Sequence, residues 1–394
     1  MHDKLSELII NYPTSGIRSM FDLAMEYPGF INLCNGEPDF KTPKHICEAA
    51  KEGLDQGLTK YALEAGLPAL REAVAQKYCT QFGYEVDSSQ IVVTGGGVEA
   101  IMLSFMSIIN KGDEVIIPDP SYTCYEGQAK MLGAEVVRLP LEEANGFVPT
   151  PEQLETAITP KTKAILLNYP NNPTGAVLTK KAAAALVPVL QKHDIWVVTD
   201  EVYEKIVFDD YVHVSLAQFD ELKNRVIVAN SFSKTYAMTG WRLGYVFSRN
   251  ETLMSRMPKM HQPLTACVPG FIQFAGAKAL TEPQDAVEDM VAHYTRRRAL
   301  MQRELATIKG LRPVKNVGTF CFFISIEDTG LTSDDMSHRL LKEAGVLTTP
   351  GSAFGKRGEG YLRLSFANSE ENIAAGMSKM KEFFAKLQPD CNCP

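Results

Sequence analysis

Between residues 90 and 247 this chain alternates short β-rich runs with longer helical stretches, and that alternation restricts its fold more than any other feature. The candidate strands are 90–93, 114–117, 135–138, 164–168, 195–199, 226–229 and 243–247. Several, such as Ala164-Ile165-Leu166-Leu167, are continuously apolar rather than alternating, as expected of strands covered on both faces. Helical patterns at 98–109, 122–131 and 180–193 lie between them. Such alternation predicts an α/β layer with a mainly parallel central sheet. Ligands of such sheets bind beyond the carboxyl ends of the strands.

The flanks differ. The first 45 residues are loop-rich, with Pro13, Gly16, Pro28, Gly29, Gly36, Pro38 and Pro43, and read as an arm that packs elsewhere. A long charged helix is expected at 285–309. Short strands near 319–324 and 361–365 and a final helix from about Ser369 then suggest a smaller α+β domain. The expected division is 1–45 as an arm and part of the small domain, 46–285 as a large domain, and 286–394 as the small domain.

A net charge of −7 argues against nucleic acid as a partner. No apolar run reaches the roughly 18 residues of a membrane span, and the start has no apolar leader. Most of the eight cysteines (Cys34, Cys47, Cys79, Cys124, Cys267, Cys321, Cys391, Cys393) sit in apolar, periodic sequence. They read as buried thiols in a reducing cytoplasm. Cys391-Asn392-Cys393 reads as a frayed terminus, with no metal site expected.

The chemistry centres on Ser231-Phe232-Ser233-Lys234, followed by Met238-Thr239-Gly240-Trp241-Arg242. A lysine can form an imine with an aldehyde, and flanking hydroxyls with a guanidinium can hold a phosphate. Pyridoxal 5′-phosphate (PLP) carries both groups. A PLP site also needs an acidic partner for the pyridine nitrogen. Asp200, at the end of the 195–199 strand, can be that partner, with Tyr203 near the cofactor's phenolic oxygen. Taken alone, Asp200 reads better as a cap of the next helix.

Four further elements fall in place. Asn168-Tyr169-Pro170-Asn171-Asn172-Pro173-Thr174-Gly175 follows the 164–168 strand and forms a rigid turn that would present the Asn172 amide. Val93-Thr94-Gly95-Gly96-Gly97-Val98 reads as strand, glycine-rich turn and helix N-terminus, a place where backbone can approach an anion. Tyr122, past the 114–117 strand, could stack on a ring or simply pack in the core. Arg363 lies inside an apolar strand, where it requires an anion: a ligand carboxylate or an internal Asp or Glu.

Over nearly its whole length, from Gly36-Glu37-Pro38-Asp39-Phe40 to Arg363-Leu364-Ser365-Phe366, the chain resembles the PLP-dependent aminotransferases of fold type I, class I/II. The most specific motifs are Asn171-Asn172-Pro173-Thr174-Gly175, Asp200-Glu201-Val202-Tyr203, and Ser233-Lys234 leading into Met238-Thr239-Gly240-Trp241-Arg242. The resemblance implies a ping-pong transfer of an amino group from an amino acid to a 2-oxo acid. It casts Lys234 as the Schiff-base lysine and proton shuttle, with a depressed pKa, and Asp200 as the pyridinium partner. Tyr203 and Asn172 would meet the phenolic oxygen. Gly96, Gly97, Val98, Ser231, Ser233 and Arg242 would hold the phosphate, with Tyr122 stacked on the ring. Arg363, Asn172 and the Gly36 backbone would hold the substrate carboxylate. Tyr61 would reach the phosphate of the neighbouring subunit in a homodimer. The segment Ser15-Gly16-Ile17-Arg18 with Met20 and Phe21 resembles members that accept aromatic or other neutral amino acids. A PLP-dependent Cβ–S lyase and a PLP-sensing regulator remain alternatives.

Overall fold

The computed structural model describes residues 4–12 and 16–387. Cys391, Cys393 and Ser15 lie outside the described residues.

Seven strands form the large sheet: Ile91–Thr94 (β1), Glu114–Asp119 (β2), Glu135–Pro140 (β3), Thr162–Asn168 (β4), Trp196–Asp200 (β5), Val226–Ser231 (β6) and Gly244–Phe247 (β7). Their order is β1-β7-β6-β5-β4-β2-β3. Only β7 runs antiparallel to its neighbours. Each sequence-expected strand is present, shifted, extended or shortened by one or two residues.

The continuous apolar runs have the expected cause. Side chains alternate between the two faces of a strand, and here both faces are covered. Ile165, Leu167, Val197, Val226 and Val228 join one buried cluster; Ala164, Leu166, Val198, Ile227 and Ala229 join another. The first face is covered by helices including Pro68–Phe82 and Lys180–His193, the second by Gly97–Ile108 and Cys124–Met131. Thr179 starts Lys180–His193 by accepting the Ala182 amide at 3.2 Å, a side-chain cap of the usual kind.

The four-stranded antiparallel sheet comprises Arg312–Pro313 (β8), Cys321–Ser325 (β9), Thr349–Pro350 (β10) and Tyr361–Ser365 (β11), in the order β10-β11-β9-β8. The long helix spans Asp285–Leu305, four residues shorter than expected, and the last helix is Glu370–Lys386 with Ser369 as its cap. The early chain packs here: Ile31–Asn32 pairs with Val346–Leu347, and Met20 and Ala24 bury against Cys34, Leu341 and Leu347.

Two expectations need correction. Of the six described cysteines only Cys34 and Cys321 are buried; Cys79 is exposed and the others are half-buried. The second helix begins at Cys124 rather than Tyr122, which leaves Tyr122 in the preceding loop. No helix among the described residues is long and apolar enough to cross a membrane.

Candidate active site

The register of the sheet lines up the site. Asn168 pairs with Asp200 and Asp200 with Ala229, so β4, β5 and β6 end side by side at their carboxyl edge. Gly244, at the start of β7, pairs with both Ser231 and Thr94. Glycine is required at Gly244, because a Cβ there would stand 2.7 Å from the Gly96 carbonyl carbon. That close approach brings the glycine-rich turn against β6 and β7.

A cavity of about 380 Å³ opens at this edge, in the size range of small-molecule sites. Gly36, Gly97, Val98, Tyr122, Asn172, Asp200, Tyr203, Ser231, Ser233, Lys234, Arg242 and Arg363 all line it. Two expected residues do not. Gly96 lies behind the lining, against the Arg242 guanidinium, at φ 94°. Tyr61 is 90% exposed on the surface.

At the floor, Asp200 is buried and holds two donors. Its Oδ1 accepts the Val202 amide at 3.2 Å, and its Oδ2 accepts the Tyr125 hydroxyl at 2.6 Å. The helix-cap reading fails: residues 202–205 form turns, and no helix directly follows β5. Burial raises the Asp200 pKa to about 6, against the pull of the two hydrogen bonds. Asn168 fastens the neighbouring strand end, donating to the Asp200 carbonyl at 3.0 Å and accepting the Asn172 amide at 3.0 Å. Asn171 stiffens the turn by accepting from the Thr174 amide and hydroxyl.

Lys234 sits on the one-turn helix Phe232–Thr235, whose cap is Ser231 accepting the Ser233 amide at 3.3 Å. Its ammonium donates to the Gly36 carbonyl and stands 5.9 Å from the centre of the Tyr203 ring. Desolvation lowers its pKa to about 8. At one end of the cavity Arg242 donates to the Thr239 carbonyl at 2.8 Å and the Gly95 carbonyl at 3.2 Å. With Gly97, Ser231 and Ser233 it forms a donor-rich cradle.

At the other end Arg363 is 2% exposed. It donates to Asn172 Oδ1 at 3.1 Å, the Cys34 carbonyl at 2.8 Å and Thr349 Oγ1 at 3.3 Å, all neutral acceptors. Among the described residues no carboxylate pairs with it, so the internal salt-bridge reading is overturned. Its buried Nε has no partner. A buried guanidinium without a counter-charge is costly, and an anionic ligand beside it supplies what the protein lacks. The cavity thus offers an anion fork, a lysine amine, a buried carboxylate and a phosphate cradle, a donor set that fits PLP with an amino acid.

Sequence reasoning missed Tyr125, Asn168, Thr239 and Glu37, all of which line the cavity. Tyr125 carries no motif of its own; the helix Cys124–Met131 brings its hydroxyl to Asp200. Beneath the floor, Glu201, Glu204 and His213 bring ligand-type atoms within 4.8 Å of one another. Protein partners already engage them: Ser215 and Thr199 donate to Glu201, and Lys77 to Glu204.

The arrangement defines a PLP-dependent transferase of fold type I. A sequence profile described as "Aminotransferase class I and II" matches residues 28–379. The chain is 40% identical over 380 residues to an aspartate aminotransferase of Pyrococcus horikoshii, covering 96% of each. It is 42% identical over 381 residues to aromatic-amino-acid aminotransferase 2 of Thermococcus litoralis, covering 96% of this chain and 97% of that one. A solved aromatic aminotransferase from Pyrococcus horikoshii superposes with a TM-score of 0.88 at 42% identity, covering 94% of this chain and 99% of that one. The chain therefore belongs to the class I and II aminotransferases, PLP-dependent enzymes that move an amino group from an amino acid to a 2-oxo acid. The lyase and regulator alternatives are not favoured.

Proposed function

We propose that this enzyme transfers the amino group of aromatic or other neutral L-amino acids, with Lys234 as its Schiff-base and proton-shuttling residue. One observation carries the assignment: the Lys234 amine, the Asp200 carboxylate and the Arg363 fork line one cavity.

When bound, PLP supplies a carbonyl that takes up the amino group and a ring that draws electrons from the substrate Cα. The side chains do the rest. Lys234 Nζ, with its pKa near 8, would take a proton from Cα as a general base and deliver it, as a general acid, to the carbon of the cofactor's former carbonyl. Asp200 would hold the proton on the ring nitrogen by ion pairing. Tyr203 and Asn172 would meet the phenolic oxygen, and Tyr122 would cover the ring. The Gly96-Gly97-Val98 turn, Ser231, Ser233 and Arg242 hold the phosphate; Gly96 contributes through the turn's shape rather than by lining the cavity. Arg363, Asn172 and the Gly36 backbone fix the substrate carboxylate, orienting Cα toward Lys234.

The substrate reading rests on charge. The cations lining the cavity are Lys234, Arg242 and Arg363, and each already has a duty. Val98 and Tyr122 present apolar surface, while Glu37 adds a negative charge at the mouth. A side-chain carboxylate finds no further cation in this lining.

We read the working form as a cytoplasmic homodimer with the domain division given above. Tyr61, Leu63, Met260 and Leu264 are exposed apolar residues, which suits a surface covered by a second copy. The described cysteines are free thiols, which suits a reducing compartment. Mixing the PLP form with single amino acids and following conversion of its absorbance to the pyridoxamine form tests the substrate reading. Phenylalanine and tyrosine should convert the cofactor faster than aspartate; the reverse order overturns it.

A further inference from the structure

His261 lies outside the cavity lining, on the helix Met257–Thr265, and is fully buried. Its Nδ1 is 2.7 Å from the Glu64 carbonyl oxygen. A carbonyl only accepts, so Nδ1 carries a proton. Nε2 has no hydrogen-bond partner and stands 3.5 Å from Glu99 Oε1. A neutral ring would turn a lone pair toward that carboxylate. Only the imidazolium offers a donor to both acceptors.

Glu99 is the hub of this cluster. It accepts the Gly95 amide through Oε2 and the Thr265 hydroxyl through Oε1. Gly95 opens the glycine-rich turn, and Glu99 lies in the first turn of the helix Gly97–Ile108. A carboxylate is thus fixed at the helix end assigned above to the cofactor phosphate. Both anions gain from the helix dipole, but they repel each other unless one is compensated.

We propose that His261 and Glu99 are positioning residues of the phosphate turn: the His261 cation neutralises Glu99, which can then hold the Gly95 amide without repelling the phosphate. This rests on the phosphate assignment above. The charges acting on His261 are Glu99, from the helix Gly97–Ile108, and Glu64, from the stretch carrying Tyr61. Arg242 meets the same turn from its other side, at the Gly95 carbonyl. Burial works against the His261 charge, and the glutamates outweigh it, raising its pKa above the ordinary value. Phosphate affinity is therefore full below that raised pKa and falls as pH rises through it.

The test titrates full-length apo-protein with pyridoxamine 5′-phosphate and with pyridoxamine between pH 6.5 and 9.5. Neither probe has an aldehyde, so Lys234 forms no bond with them. The ratio of the two affinities cancels effects at the ring end. In the wild type the phosphate advantage should fall about threefold to tenfold across this range, the size of a partly screened charge. Glu99→Gln should flatten the fall, and His261→Gln should hold the advantage low at every pH. Arg242→Gln should lower it at every pH without flattening it. A wild-type slope retained in Glu99→Gln overturns the inference, and this variant decides the matter if His261→Gln fails to fold. An unchanged ratio in Arg242→Gln shows instead that the phosphate assignment itself is wrong.

Discussion

Arg363 Nη1 donates to Asn172 Oδ1 across 3.1 Å, joining the middle of the small sheet to a turn at the edge of the large one. The pair spans 191 residues of sequence and brings the anion fork over the same cavity as Lys234. Arg363→Lys keeps the charge but loses the planar fork. We expect kcat/KM for amino acids to drop roughly 10- to 100-fold, the worth of a charged hydrogen bond, with cofactor absorbance and affinity unchanged. Steady-state kinetics beside a PLP titration separates the two.

Lys234 links catalysis to stability. Its folded pKa of about 8 lies below the unfolded value of about 10.4. Below pH 8 the partly desolvated ammonium costs the apo-protein stability. Between pH 8 and 10.4 the folded state releases its proton first, so stability rises with pH, and above that window the penalty is gone. In the apo form, Lys234→Met should be more stable than wild type at pH 7, by on the order of 3 kcal/mol. That advantage should vanish by about pH 10.5 in urea denaturation. The same variant should lose transamination by at least about 100-fold.

Asp200 gives the opposite slope. Its folded pKa of about 6 exceeds the unfolded value of about 3.9. Its stability contribution is present below pH 3.9 and lost as pH rises through 6. Pairing with a protonated ring nitrogen needs the ionised form, so pyridoxamine affinity should strengthen as pH rises from 5 to 7. Asp200→Asn should remove that rise. A rise of equal size in the variant would reassign the dependence to another group.

Lys77 and Glu204 form a buried ion pair, with Glu204 in the turn that follows Asp200 and carries Tyr203. Lys77 also donates to Tyr245 Oη at 2.7 Å. Burial works against the Glu204 charge, and the Lys77 ammonium outweighs it, holding the carboxyl below its usual range. Lys77→Met strands that carboxylate and should cost about 3–5 kcal/mol. Lys77→Met with Glu204→Leu should recover much of the loss, because no lone charge remains. Denaturant midpoints for the single and double variants form the cycle.

Tyr61 offers a test of the shared site. Lys234→Ala should be inactive and Tyr61→Ala impaired. Mixed subunits would create one site with both native residues, so refolding an equal mixture should restore up to about a quarter of wild-type activity. Activity equal to the average of the two variants would mean that Tyr61 serves its own subunit.

Much of this was written along the chain. The runs ending at Asn168, Asp200 and Ser231 are apolar on both faces, which made a covered parallel sheet legible, and the residues just past them had to gather at one edge. The sequence thereby determined the fold class and singled out Lys234, Asp200, Arg242 and Arg363, which the fold brings to one cavity. Their local motifs are short-range and chemically distinctive.

The tertiary structure decided the rest, because it depends on which groups meet across distant parts of the chain. Arg363 could equally have met an internal carboxylate; packing gave it Asn172, Cys34 and Thr349 and left its Nε for an anion. Tyr125 reads as one more aromatic until the helix Cys124–Met131 aims it at Asp200. His261 carries no motif at all. Only its burial between a carbonyl and a carboxylate favours the doubly protonated ring, since solvation and hydrogen-bond partners follow from contacts that sequence spacing does not encode.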